Sequence, residues 1–312
     1  MKLVFRITRL PHHVSAILFL SLLLHASSLA ANSHQLKRPR ITGIDHVTIY
    51  VSDMERSRHF YGEVLGLHSS CLQYKGSGAC YVVAPSSQQI VLKQAPPATK
   101  NWLAEIAFAT DDLAGLSRYL QAHGISSSTI LKNSDGFDVI RLHDPEGNPI
   151  AFVQRSAEAA GHAPALTQIG THLIHAGFVV KDRDAENRFY VDLLGFRLYW
   201  YGGFKDDGVD WYELQVPDGP DWIEYMLNSP ANADHKELGV QNHFSFGVKN
   251  VHDAAAQLRR NGLQKFDGPE VGRDGKDSLD AYDPDDTRIE VMELTPKEKS
   301  CCHPYTATHP KN

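Results

Sequence analysis

The chain has 312 residues, a formal net charge of −6 and 42% hydrophobic residues, a composition typical of a globular protein. A mildly acidic sequence without a cluster of Lys and Arg argues against binding to nucleic acid or to an anionic membrane surface. A length of this size predicts two domains, each large enough to bury an ordinary core.

The N-terminal segment is typical of a secretory signal. Three basic residues lie within the first nine positions, an apolar run covers 14–24, and small residues occupy the cleavage-site positions at 28–30. The run is too short to cross a bilayer comfortably. We therefore expect residues 1–30 to be removed as a signal peptide, with 31–40 as a linker. The protein is then secreted or periplasmic and makes no membrane contact after cleavage.

The rest of the chain contains one sequence pattern twice. From His46 and again from His175, an Asp follows at +7, Phe-Tyr at +14 and Leu-Gly at +19, with a constant offset of 129 residues. A second pattern places Asp144-Pro145 and Asp283-Pro284, 139 residues apart, before a short apolar segment. Self-similarity at a fixed offset is the signature of duplicated structural units.

Each half contains two units that read as a strand, a helix and then a few strands. Apolar residues at 54–64 recur at helical spacing and Gly66 ends that helix, and 184–194 with Gly195 repeats the arrangement. A strand-first unit with one helix outside a curved sheet predicts an α+β fold.

The domain boundaries follow from the same repeats. We expect an N-terminal domain at 41–156, a linker rich in Ala, Gly and Pro at 157–170, and a C-terminal domain at 171–296. A polar tail at 297–312 completes the chain. The sequence is also compatible with a homo-oligomer.

These repeats resemble the vicinal oxygen chelate (VOC) superfamily, which includes glyoxalase I, bleomycin- and fosfomycin-resistance proteins and type I extradiol dioxygenases. The resemblance covers roughly residues 41–295 and rests on the two His…Phe-Tyr…Leu-Gly patterns and the two Asp-Pro turns. It implies four βαβββ units paired into two domains with cupped mixed sheets. It also implies that metal ligands project into the cup from the first and last strands of each unit.

In the C-terminal half, the ligand positions of the resembled family fall on His175, His243 and Glu290, with Glu224 near the fourth position. Two imidazoles and one carboxylate suit Fe(II), with Mn(II) and Zn(II) as alternatives. Glu290 adds weight to this hypothesis, because a carboxylate between two apolar residues of a strand is costly to bury without a partner.

In the N-terminal half, the same positions fall on His46, Glu105 and Ala151. Ala151 has no ligand atom, and the remaining pair is a poor metal site. We therefore expect a degenerate metal site in this half, with a structural or substrate-shaping role.

The first functional hypothesis is a metal-dependent oxygenase of the extradiol-dioxygenase type, acting on a small aromatic or enol-containing substrate that chelates the metal. Asp280 stands where that family has a Tyr, and Glu224 lies near the position of its acid–base His. We predict that these two carboxylates act as replacement catalytic groups. The alternatives are a glyoxalase-like lyase or isomerase, which Glu224 as a fourth ligand would favour, and a non-catalytic protein that sequesters a ligand.

Three further expectations concern cysteines, aromatics and loops. Cys71 and Cys80 flank a predicted hairpin turn and form either a disulfide or two buried thiols, whereas Cys301-Cys302 has no expected catalytic role. Aromatic residues crowd 199–225 and predict a pocket for a flat ligand or, for any one ring, ordinary core. The charged stretch 273–277 is expected to be a solvated loop that could also cover the cup as a lid.

Overall fold

The structure is a computed structural model that describes residues 36–69, 78–132, 137–155 and 163–311. The predicted signal peptide and Cys71 lie outside the described residues, so the export signal and the Cys71–Cys80 pairing stay predictions. None of the helices in the described ranges is long and apolar enough to cross a membrane.

The N-terminal half forms one mixed sheet of eight strands in the order β2-β3-β4-β1-β5-β8-β7-β6. Its first unit comprises β1 (Ile41–Val51), helix α1 (Met54–His59), a π-helical turn (Phe60–Val64), β2 (His68–Ser69), β3 (Gly78–Val82) and β4 (Gln89–Gln94). Its second unit comprises β5 (Leu103–Thr110), α2 (Leu113–Ala122), β6 (Leu131–Lys132), β7 (Asp138–His143) and β8 (Pro149–Gln154).

The C-terminal half repeats this sheet in the order β10-β11-β12-β9-β13-β16-β15-β14. Its first unit comprises β9 (His172–Val179), α3 (Arg183–Asn187), a π-helical turn (Arg188–Leu193), β10 (Arg197–Gly202), β11 (Trp211–Gln215) and β12 (Trp222–Met226). After α4 (His235–Gln241), its second unit comprises β13 (His243–Val248), α5 (Val251–Arg260), β14 (Asp267–Val271), β15 (Asp277–Tyr282) and β16 (Arg288–Glu293). The predicted α+β fold of four βαβββ units in two cupped sheets is confirmed.

The repeated sequence features are the start and stop signals of the helices. Asp53 caps α1 by accepting hydrogen bonds from two backbone N–H groups, and Asp182 caps α3 in the same way through Ala185. Gly66 and Gly195 follow the π-helical turns with φ values of +67° and +79°, which glycine adopts without steric cost. The constant spacing between His, Asp, Phe-Tyr and Leu-Gly therefore fixes the length of the first strand and helix.

The same motifs also join the two halves. Tyr61 of the first Phe-Tyr pair donates a hydrogen bond to Asp283 in the Asp-Pro turn of the other half, over 3.0 Å. Tyr190 of the second pair is buried, and burial together with the nearby Asp144 carboxylate raises its pKa. Each half thus inserts its tyrosine beside the Asp-Pro turn of its partner.

Backbone contacts beside these tyrosines follow the same exchange. The Ser52 N–H donates to Asp285 Oδ2 over 2.9 Å, and the Lys181 N–H donates to Glu146 Oε1 over 2.6 Å. Because donor and acceptor come from opposite halves in both cases, the halves pack through a reciprocal set of polar contacts around one continuous apolar core.

Glu186 is a buried carboxyl group at this junction, with its Oε1 accepting from the Glu146 N–H over 3.0 Å. Burial and the nearby Asp144 raise its pKa to about 8. Because the folded state holds this proton more tightly than the unfolded chain does, the resulting stabilisation is complete at acid pH. It is lost as the pH rises from the ordinary glutamate range through about 8.

We predict that Glu186→Gln removes this pH dependence. The unfolding free energy of the parent protein should fall between pH 5 and pH 8, relative to that of the variant, by roughly 3.5 kcal/mol. About 2.5 pKa units of the change act in this range, and each pKa unit corresponds to about 1.4 kcal/mol. Urea unfolding at the two pH values measures the difference. The exposed Glu63→Gln is the control, and a Glu186→Gln curve parallel to the parent's would contradict the prediction.

Candidate metal centre

Four neighbouring strands in the middle of the second sheet each contribute one ligating side chain to its concave face. In sheet order, β12 provides Glu224, β9 provides His175, β13 provides His243 and β16 provides Glu290. We call these residues the four-residue cluster. All four are buried or nearly so, with the histidines at most 1% exposed.

The ligand atoms of the four-residue cluster converge on one point. His175 Nε2 lies 3.1 Å from His243 Nε2 and 3.2 Å from Glu290 Oε2, while His243 Nε2 lies 3.2 Å from Glu224 Oε2. The two remaining His-to-Glu distances are 4.0 Å and 3.9 Å. A divalent ion bonded at about 2.1 Å separates its adjacent ligand atoms by about 3 Å and opposite ones by about 4 Å. The spacing among His175, Glu224 and His243 therefore fits one shared ion, and Glu290 Oε2 lies 3.2 Å from His175 Nε2 beside them.

Gly177 makes this approach possible. It pairs with His243 on one side and with Glu224 on the other. A β-carbon at this position would lie 2.1 Å from His243 Cε1, so any larger residue would displace the imidazole. The equivalent position of the N-terminal half holds Thr48, which pairs with Glu105 instead of a histidine.

Hydrogen bonding and charge set His243 in its ligating form. Its Nδ1 lies 2.9 Å from the Gln241 carbonyl oxygen, which places the N–H at Nδ1 and leaves the Nε2 lone pair facing the cluster. Burial and the Arg288 guanidinium lower the pKa of His243, which favours the neutral imidazole that metals bind. The structure thus supplies a hydrogen bond that holds this ring from behind.

The two carboxylates are held in their charged form. Burial alone would raise the pKa of Glu290, but the contact with His175 outweighs it and lowers the pKa to about 2. Burial alone would also raise the pKa of Glu224, but the contact with His243 outweighs it and lowers the pKa. Two imidazole nitrogens and two carboxylate oxygens suit Mn(II), Fe(II) or Zn(II). His175, Glu224 and His243 alone already form a group that could hold a metal ion.

The structure brings the three predicted ligands His175, His243 and Glu290 together, and it adds Glu224 to them. Two roles were predicted for Glu224, a fourth metal ligand and a catalytic group. Its contact with His243 is the kind expected of a ligand. Asp280 lies beside the cluster on β15, directly opposite Glu290 in the strand register. The catalytic roles of Glu224 and Asp280 stay predictions.

Arg288 is a site residue that the sequence reading missed. Its Nη2 lies 2.9 Å from both ring nitrogens of His243, and its Nη1 lies 3.4 Å from Asp280 Oδ2. The opposing effects of burial and of the Arg288 charge leave the pKa of Asp280 raised to about 6. Residues two apart on a strand share a face, so the position of Arg288 relative to Glu290 was a usable signal.

A cavity of about 340 Å³ opens from the four-residue cluster to the surface. Glu224 and Glu290 line it, and Trp200, Phe204 and Trp211 form an aromatic wall. The prediction of an aromatic pocket therefore holds for these three rings. Tyr199, Trp222 and Tyr225 of the same stretch are instead fully buried core.

The predicted solvated loop at 273–277 is wrong for most of its length. Asp274, Lys276 and Asp277 are buried, and Asp274 together with Arg273 lines the cavity. The Lys276 ammonium lies 4.3 Å from the Trp222 ring and 4.9 Å from the Tyr305 ring, and 3.5 Å from Asp274 Oδ2. Aromatic faces and one carboxylate thus compensate the buried charge, which the sequence pattern alone did not indicate.

The C-terminal segment 297–311 packs against the same wall of the cavity. The Cys301 N–H donates to the Arg273 carbonyl oxygen over 2.8 Å, and Trp200 Nε1 donates to the Cys301 carbonyl oxygen over 3.3 Å. Cys301 and Cys302 form a disulfide with each other. The polar tail therefore covers the outside of the aromatic wall.

The equivalent place in the N-terminal half holds an arginine instead of a metal-ligand set. Arg141 Nε lies 2.7 Å from Glu105 Oε2 and pairs across the sheet with Ala151. His46 Nδ1 lies 2.6 Å from Asp45 Oδ1, and its Nε2 lies 3.6 Å from Glu105 Oε1. A guanidinium charge thus balances the buried carboxylate of Glu105.

The fold and the four-residue cluster together define a duplicated βαβββ protein with a candidate metal centre in its C-terminal half. The chain belongs to the Glyoxalase/Bleomycin resistance protein/Dioxygenase superfamily, whose sequence profile matches residues 43–152 and 172–291. The resemblance inferred from the repeats is therefore confirmed. No curated protein sequence matches the chain.

Solved structures of this fold include both enzyme classes considered above. Homoprotocatechuate 2,3-dioxygenase from Brevibacterium fuscum, in complex with 3,4-dihydroxyphenylacetate, is 22% identical with a TM-score of 0.61, covering 88% of this chain and 84% of its own. The 2,3-dioxygenase LapB from Pseudomonas sp. KL28 is 18% identical with a TM-score of 0.65, covering 88% and 96%. A Mn(II)-bound glyoxalase from Novosphingobium aromaticivorans is 20% identical with a TM-score of 0.65, covering 82% and 83%. At these identities the comparison establishes the fold.

We predict that Gly177→Ala lowers metal affinity at least tenfold, because the added methyl group must displace the His243 ring. Overpacking of this kind also costs about 1–3 kcal/mol of stability. Metal titration and thermal unfolding measure the two effects. Gly62→Ala is the control, since its β-carbon would make only an ordinary 3.5 Å contact. Unchanged metal affinity in Gly177→Ala would contradict the geometry derived for the cluster.

Proposed function

We propose that this protein is a metal-dependent enzyme of the glyoxalase-like lyase or isomerase type. It moves a proton next to a carbonyl group of a small substrate that chelates the metal through oxygens. The observation that carries the proposal is the 3.2 Å contact between Glu224 Oε2 and His243 Nε2, because a carboxylate at this distance can serve as a fourth ligand beside His175, His243 and Glu290.

The number of protein ligands separates the two enzyme classes. A site with two histidines and one carboxylate keeps positions open for a chelating substrate and for dioxygen together. A fourth protein ligand leaves fewer open positions, which suits a reaction that needs the substrate alone. The second carboxylate also balances the charge of a divalent ion, so the site has less need of an anionic catecholate.

The protein groups around the cavity divide into holding and proton-moving roles. When bound, a divalent ion would polarise a substrate carbonyl and make the adjacent C–H more acidic. Glu224 and Glu290 contact the histidines and also line the cavity, so their free oxygens can reach a substrate proton. Arg288 and Asp280, paired over 3.4 Å, would orient the substrate oxygens at the cavity floor.

The dioxygenase hypothesis is the second candidate. The ligand types and chain order of His175, His243 and Glu290 favour it, as does the likeness in fold to the two 2,3-dioxygenases. Asp280 and Glu224 would then be the acid–base groups. Against it, both side chains already have close partners, the Arg288 guanidinium for Asp280 and the His243 imidazole for Glu224.

The choice of metal depends on the types of ligand and on the compartment in which the protein works. Fe(II), Mn(II) and Zn(II) are all compatible with two imidazoles and two carboxylates. We propose export to the periplasm or outside the cell, where Fe(II) oxidises readily. Mn(II) or Zn(II) would be less affected by this, so Mn(II) is the first metal to test.

Metal analysis tests whether the four-residue cluster is a metal site. We predict about one metal ion per chain in the full-length protein and at least tenfold lower metal affinity in His175→Ala. His46→Ala, the equivalent change in the N-terminal half, retains the metal and serves as the control. Elemental analysis of anaerobically purified protein measures both. Equal loss of metal from both variants, or none from His175→Ala, would refute the assignment.

Two assays then distinguish the enzyme classes. With the metal-loaded protein, we expect deuterium from solvent to enter the C–H next to the carbonyl of hydroxyacetone, observed by NMR. We expect no oxygen uptake with catechol in an oxygen electrode. Glu224→Gln should lower metal affinity if Glu224 is a ligand. Rapid oxygen uptake, together with full metal content in Glu224→Gln, would instead establish the dioxygenase.

A further inference from the structure

The cavity floor contains buried polar atoms that no described residue pairs with. Glu213 is only 2% exposed and lines the cavity, yet its Oε2 makes no hydrogen bond within the described chain. Asp280 Oδ1 and Arg288 Nε, from two other residues that line the cavity, are buried and unpaired in the same way. Buried polar atoms in proteins are almost always paired, so these three atoms mark a place for a polar ligand.

Glu213 lies close to the four-residue cluster. It pairs with Glu224 across the β11–β12 ladder, and side chains of directly paired residues project from the same face of the sheet. Asp280 pairs with Glu290 in the same manner on the other side. A ligand bound to the cluster would therefore have a carboxyl group on each flank and the Arg288 guanidinium beside it.

The three unpaired atoms require a ligand that both donates and accepts. Carboxylate oxygens accept hydrogen bonds and the guanidinium N–H donates one. A hydroxyl group does both, so it can pair with a carboxyl group in either protonation state and with the guanidinium. An ammonium group would lie close to Arg288, and a carboxylate would lie close to Glu213 and Asp280.

We propose that the substrate is a hydroxyl-rich carbonyl compound of the sugar class. This inference deepens the proposed function and rests on it, since hydroxyl and carbonyl oxygens are also the chelating groups. Trp200, Phe204 and Trp211 give the ring or carbon chain an apolar face to pack on, and Phe204 is 78% exposed at the opening. The ring centroids of Phe204 and Trp211 lie 4.7 Å apart, so the two rings form one continuous apolar surface.

A flat aromatic ligand fits this floor poorly. A catechol has two hydroxyl groups, and both are used in chelation, so its ring would cover Glu213, Asp280 and Arg288 without pairing with them. Leaving buried polar groups unpaired costs binding free energy. A site built to pair with hydroxyls therefore discriminates strongly against ligands that lack them.

Calorimetric titration of the Zn(II)-loaded full-length protein tests the ligand class. The probes are D-xylose, the one-hydroxyl-poorer 2-deoxy-D-ribose, and catechol. We expect D-xylose to bind more tightly than either of the others, with at least a tenfold difference from catechol, or about 1.4 kcal/mol. Because these comparisons use the unaltered protein, they do not depend on whether a variant folds.

Variants locate the binding to the floor. Glu213→Met keeps the side-chain volume but cannot pair, and we expect it to weaken D-xylose binding at least tenfold while metal content stays unchanged. Glu270→Met is the matched control, because Glu270 lines the same cavity but is exposed, and water can solvate it. We expect less than a threefold effect there.

Each outcome bears on one proposal. Two results with the metal-loaded protein would overturn the sugar-class inference alone. One is tighter binding of catechol than of D-xylose. The other is no binding of D-xylose at concentrations of 50-fold or more above that of the protein. Equal D-xylose affinity in folded Glu213→Met overturns it as well. A protein that retains no metal but still binds D-xylose overturns the proposed metal enzyme and leaves the polar floor standing.

Discussion

The close approach of two imidazoles and two carboxylates in a buried space is the constraint on which the C-terminal half depends. Taking two carboxylates out of water is expensive unless a positive charge lies near them, and here the Arg288 guanidinium supplies that charge while the histidines contact both carboxylates. The approach in turn requires a glycine in the strand between His243 and Glu224. Strand order, register and residue size therefore act together, and a change in any one of them alters the electrostatics of all four groups.

The fold could be predicted because its signals are local. The N-cap aspartates and the positive-φ glycines each act within about one helix length, and their repetition indicated how many units the chain holds and how they pair. Three of the clustered residues could be predicted for a related reason. The resembled family places its ligands on the first and last strands of each unit, and the sequence repeats located those strands.

The rest of the site depends on contacts that the sequence does not display. Arg288 looked like an ordinary turn residue until the strand register placed it against His243. Lys276 sits in a run of charges that normally indicates a solvated loop, yet rings distant in sequence enclose it. Glu224 occupies a position for which two roles were open, and only a distance could favour one. In each case the deciding partner comes from another strand or from the tail.

The exchange of tyrosines between the halves has a consequence for how such a molecule can diverge. Tyr61 donates a hydrogen bond to Asp283, and Tyr190 lies beside Asp144. The Phe-Tyr motif of each half therefore lies against the Asp-Pro turn of the other half. In the N-terminal half Arg141 contacts the carboxylate of Glu105, while the residues that shape the fold match those of the other half. Shape and ligand set therefore depend on different residues, and each half supports the packing of the other whatever it binds itself.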